Sequence, residues 1–157
     1  MARAADPCVL SSSVVVELPV QQCWELYTDN ELLSEWSPSI VSAQSDSRVL
    51  ALATKRKCTV IVENKTGYTV EHCTLCDTHK RLDVSVVEET FGFSHMLVSY
   101  GFSTLFNVDG SNTLLTLETH YQPKKIFASV MTSEATLRQL QGLMTENLAS
   151  FKHYAEL

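Results

Sequence analysis

SEATLRQLQGLMTENLASFKHYAEL, residues 133–157, decides the architecture of this chain. Leu137, Leu140, Met144, Leu148, Phe151 and Ala155 recur at steps of three and four, which puts one apolar face along a long helix. Thr132 or Ser133 is placed to cap its start, and Glu134 falls near the positive end of the helix dipole. No proline interrupts the run, and Gly142 is its one weak position. A helix of this length needs an apolar surface to lie on. The residues before it read mostly as strands, and a curved sheet closing on one helix leaves a hollow between the two. Such a hollow is the natural place for a binding site.

Working back from the helix, Lys124 to Met131 is a short apolar bridge with helical character. Pro123 closes the sheet ahead of it. Alternation predicts strands over 40–45, 49–62, 68–76, 81–89, 95–107 and 113–122. Turn chemistry separates them: Ser45-Asp46-Ser47, Asn64-Lys65-Thr66-Gly67, Asp77-Thr78-His79-Lys80, Phe91-Gly92 and Asp109-Gly110-Ser111-Asn112. Connections this short imply antiparallel pairing. In the last hairpin Met96, Val98, Tyr100, Phe102 and Phe106 are expected on one face, with Leu115, Leu117 and Tyr121 across the turn. Further upstream, 12–18 reads as a strand and Pro19 stops it. Val20, Cys23, Trp24 and Tyr27 then mark a short helix, and 31–36 a second one ended at Ser37-Pro38-Ser39. Residues 1–11 read as a loose lead-in. The chain of 157 residues is expected to form one domain.

The formal charge of −6 disfavours nucleic acid, whose affinity comes from Lys and Arg neutralising phosphates. Lys55-Arg56-Lys57 is the densest basic run and reads as solvated strand or loop. The five cysteines, an odd count without a secretory start, fit reduced thiols and a cytoplasmic protein. No apolar run is long enough to span a bilayer, so no integral membrane association is expected.

The order strand, two short helices, antiparallel strands and long closing helix resembles the START-like (SRPBCC) superfamily. That group includes polyketide cyclases, coenzyme-Q-binding proteins and plant lipid binders of the Bet v 1 type. VVVELPVQQCWELYTDNELLSEWSPSIVSAQ (14–44) is similar to its opening, NTLLTLETHYQP (112–123) to its last strand, and LRQLQGLMTENLASFKHYAE (137–156) to its closing helix. The resemblance implies an α+β helix-grip fold, in which a curved antiparallel sheet wraps a long C-terminal helix. It transfers no shared catalytic residue, so function must be argued from the cavity.

Candidate residues divide accordingly. Trp36, Tyr100, Phe102, Tyr121, Phe127 and Met144 are the expected ligand-binding set, because they are apolar or polar-tipped and face the hollow or its mouth. Trp24 and Tyr27 read chiefly as anchors of the first helix. His72-Cys73-x-x-Cys76-x-x-His79 has half a zinc motif, but no second cysteine pair exists, and in a regular strand the two thiols would point to opposite faces. No metal and no cofactor is expected. His95, Glu118 and His120 hold acid–base chemistry but read as the wet side of the sheet, and Glu17 and Glu63 read as exposed.

The leading expectation is a carrier that binds a hydrophobic small molecule, such as a lipid, quinone or polyketide-like compound, with the 124–131 bridge as its gate. The alternatives are a cyclase- or aromatase-type enzyme on the same scaffold, which needs a titratable group in the pocket, and a protein-interaction or co-chaperone role.

Overall fold

The computed structural model describes residues 3–157. The N-terminal strand β1 (Cys8–Val16) is followed by the helices α1 (Val20–Thr28) and α2 (Leu33–Trp36). Six strands come next: β2 (Ile40–Ser45), β3 (Lys55–Val62), β4 (Lys65–Asp77), β5 (Arg81–Glu89), β6 (Leu97–Asp109) and β7 (Asn112–Pro123). A one-turn helix α3 (Phe93–Met96) precedes β6. After β7, a 3-10 turn (Lys125–Phe127) and α4 (Ala128–Met131) lead into α5 (Glu134–Ala155). The seven strands form one antiparallel sheet in the order β1-β7-β6-β5-β4-β3-β2. This is the α+β helix-grip architecture.

The long helix is built as its sequence dictates. The Ser133 hydroxyl accepts from the Thr136 amide at 3.3 Å and caps the first turn. Met144, Leu148, Phe151 and Ala155 are buried, and Leu137 and Leu140 are partly buried. The β6–β7 hairpin has the expected pairing, with Phe106 opposite Leu115, Thr104 opposite Leu117 and Tyr100 opposite Tyr121. Its two-residue turn relies on Gly110 at φ 60°.

Five local readings change. Cys8 to Ser11 belong to the first strand, paired with Tyr121 to Glu118, so the lead-in is shorter than expected; Met1 and Ala2 lie outside the described residues. Residues 49–54 are a loop: Leu50 inserts into the core while Val49 and Leu52 are exposed, and Ala53 takes φ 67°. The β3–β4 turn falls on Glu63-Asn64, both at positive φ, and Gly67 lies within β4. A Cβ at Gly67 would come within 2.3 Å of the Thr90 hydroxyl, so a bare Cα is needed there for packing. His95 stands on α3 instead of starting β6. A register shift between Leu97 and Ser99 turns Val98 outward, away from the face it was expected to share with Tyr100.

Candidate functional site

Two apolar clusters fill the space between sheet and helix. The larger centres on rings carried by α1, α2, β6 and α5. Phe151 lies 5.2 Å from Tyr27 and 5.0 Å from Trp36, and Phe106 lies 5.0 Å from Trp24 and 5.4 Å from Tyr27. Ser150 donates to the Trp36 carbonyl and holds α2 against α5. The smaller cluster joins Leu97, Tyr121 and Met131, with Phe127, Leu137 and Leu140 packed onto it.

Between these clusters lies a cavity of about 230 Å³. Its roof is Leu140, Leu143, Met144, Asn147 and Leu148 of α5. Its floor comes from the inward faces of β3 to β7, including Val60, Val62, Val84, Val86, Phe102, Thr104, Leu117 and Thr119. Two ring groups complete the lining: Tyr27 stacked on Trp36 beside Ile40, and the run Phe91, Phe93 and Tyr100.

Trp36, Tyr100, Phe102 and Met144 of the expected set therefore line this cavity. Tyr121 and Phe127 do not. Tyr121 is buried in the smaller cluster, and its hydroxyl donates to the Met131 carbonyl at 2.8 Å. Phe127 packs into the same cluster, its ring 5.8 Å from that of His95. Together they plug the space under the 124–131 bridge. Ile126 and Val130, expected to help gate the cavity, point into solvent. Trp24 and Tyr27 anchor α1 as expected, but Tyr27 also reaches the cavity and its hydroxyl shares a hydrogen bond with Thr104 at 2.9 Å.

The wall also has a polar element that local composition does not announce. Arg56, expected in solvent with Lys55 and Lys57, turns inward and pairs with Glu71 at 2.9 Å. The two residues sit opposite each other in the β3–β4 register. Arg56 donates from Nε and Nη2 to Glu71 Oε1, and from Nη1 to Asn30 Oδ1. Glu71 Oε2 accepts from the Thr69 hydroxyl at 3.0 Å. Burial opposes ionisation of both partners, and the attraction between them more than offsets it. Arg56 is pushed up and Glu71 held below the ordinary carboxylate range. A mutually satisfied pair of this kind survives in an apolar interior, where a lone charge would not. The signal for it was period-two alternation: Cys58, Val60 and Val62 face inward, and the same face extended back reaches Arg56.

The other candidates fall elsewhere. A second bulge, between Cys73 and Leu75, keeps Cys73 and Cys76 on the same side of β4, opposite Val84 and Leu82, where regular alternation would have separated them. Both pack against the core, and among the described residues no group of three or more His, Cys, Asp or Glu side chains is placed to hold a metal. Glu118 and His120 lie on the outer face of the sheet. His120 Nε2 is 3.0 Å from the Ser103 hydroxyl and 3.3 Å from Glu118. One ring nitrogen meets both groups, so this is no relay through the two nitrogens of an imidazole. Glu17 and Glu63 are exposed, with Glu63 accepting from Gln139.

A curved sheet holding a long helix over an oil-lined cavity defines the helix-grip class of ligand-binding scaffolds. Within it, the chain belongs to the family described as polyketide cyclase / dehydrase and lipid transport, whose model matches residues 7–156. Solved structures agree on the fold. The major latex-like protein 151 of Panax ginseng superposes with TM-score 0.77 at 11% identity, over 95% of this chain and 97% of that one. A START superfamily protein from Mycobacterium smegmatis gives 0.72 at 14%, over 94% and 97%. Norcoclaurine synthase from Thalictrum flavum, in complex with dopamine and hydroxybenzaldehyde, gives 0.74 at 13%, over 95% and 86%. No curated protein sequence matches the chain. No helix among the described residues is long and apolar enough to cross a membrane.

Proposed function

We propose that the protein binds and carries a hydrophobic small molecule, of lipid, quinone or polyketide-like type, in the cavity beneath α5. The observation that carries this reading is an apolar cavity of about 230 Å³ whose wall holds one ion-paired polar point, Arg56 with Glu71. Apolar walls supply affinity, at about 25 cal/mol per Å² of surface withdrawn from water. A few convergent polar groups then orient the ligand. The family description, with its reference to lipid transport, supports the same reading. Trp36, Tyr100, Phe102 and Met144 are the proposed contact residues. The five free cysteines suit a reducing compartment such as the cytoplasm.

A catalytic reading has one observation in its favour, the ionisable pair in the cavity wall. Both partners are held in their charged forms, however, and neither is poised near neutral pH to exchange a proton. Binding is therefore the better-supported function.

Titration with Nile red, a neutral apolar dye, tests it. The wild type should bind the dye with a rise in fluorescence. Val86→Trp, which fills the cavity from its floor, should abolish that rise while the thermal transition stays cooperative. Equal dye binding by both proteins would remove the cavity as the site.

A further inference from the structure

We propose that this cavity selects electrically neutral ligands, oily molecules bearing a carbonyl or hydroxyl group, and excludes ionised carboxylates of the same length. This rests on the binding function above and adds the charge of the ligand to it.

Among the described residues lining the cavity, Arg56 and Glu71 alone carry charge, and they cancel. The guanidinium fork is already turned to Glu71 and Asn30. The charge of Arg56 is therefore already offset, and an incoming carboxylate meets the like charge of Glu71. The remaining ionisable groups around the cavity add no cation. Tyr27 on α1 and Tyr100 on β6 have hydroxyls pushed up by burial, and the Cys58 thiol beside Glu71 on β3 is pushed up to about 12. All three are neutral at physiological pH. Tyr100 also feels the negative charges of Glu71 and of Glu89 on β5. The roof contributed by α5 is uncharged. An unpaired carboxylate is strongly disfavoured in such a space, so an acid enters protonated or not at all.

A neutral acceptor is served differently. Arg56 has five N–H groups and uses three on Glu71 and Asn30, which leaves two. Tyr100 adds a hydroxyl to the cavity lining. The site thus has donors for a carbonyl or hydroxyl oxygen and no counter-charge for an anion.

Displacement of Nile red by decanol and by decanoate, on the full wild-type chain, tests the inference between about pH 5 and about pH 8. Decanol should displace equally well throughout. Decanoate should weaken about tenfold per pH unit above its own pKa, ending roughly a thousandfold weaker than decanol. Glu71→Gln keeps a hydrogen-bond acceptor but frees the Arg56 charge, and should narrow that gap at least tenfold. If this variant does not fold, the wild-type pH series decides alone. Decanoate matching or exceeding decanol at about pH 8 would overturn the charge selection and leave the carrier function standing. Failure of the dye and both displacers to bind would overturn both.

Discussion

The two halves of α5 look alike in sequence and do different work. Its C-terminal end is tightly packed: Phe151 is fully buried between the rings of Tyr27 and Trp36, and Ala155 is buried one turn further on. Its N-terminal half and middle bridge a hollow, from Leu140 to Leu148, and Leu140 and Leu143 are only half-buried there. Helical periodicity marks which face turns inward in both halves. It does not say whether atoms or empty space lie opposite, because that depends on strands far away in sequence.

The difference predicts unequal responses to truncation. Phe151→Ala should cost about 3–5 kcal/mol, since surrounding rings cannot collapse into the space left. Urea denaturation measures it. Glu71→Ala should rank close behind, at roughly 3–5 kcal/mol, because it strands the Arg56 charge in the cavity wall. The double change Arg56→Met with Glu71→Leu should recover most of that loss, to within about 1–2 kcal/mol of the wild type. A double variant as unstable as Glu71→Ala would mean that the hydrogen bonds, and not the stranded charge, carry the cost.

Leu140→Ala should cost less than Phe151→Ala, about 2 kcal/mol, because part of that side chain already borders empty space. The same substitution enlarges the cavity and should change ligand affinity. Equal costs for Leu140→Ala and Phe151→Ala would erase the contrast between the two halves.

Acid gives a gentler probe of the wall. Glu71 has a folded-state pKa below its unfolded value of about 4.5. Its contribution to stability is thus present above that value and lost as pH falls through the lower folded one. Stability measured by urea denaturation should decline on acidification, and more gently in the double variant lacking the pair. The smallest effect is expected at the helix start, where Ser133→Ala removes a cap worth about 1 kcal/mol.

The same contrast explains what the sequence made legible. The long helix, the β6–β7 hairpin and the short helix at Val20 are local patterns, and each formed close to where its periodicity put it. Four cavity-lining residues, Trp36, Tyr100, Phe102 and Met144, followed from those patterns. Tyr121 was misplaced because its hydroxyl has a use elsewhere, on the Met131 carbonyl, and strand alternation cannot reveal a partner. Val98 and the Cys73–Cys76 pair were turned by bulges, each of which shifts the alternation by one residue. Arg56 was hidden among lysines. It enters the interior because β4 presents Glu71 directly across from it, and strand register is not written in either segment alone.

A crystal structure determined after soaking with decanol tests the central claim most directly. The account predicts ligand density between Leu140, Leu143 and Met144 above and Val86 and Phe102 below, with its oxygen near Arg56 or Tyr100. Side chains filling that space completely, or decanol bound only on the outer surface, would contradict it.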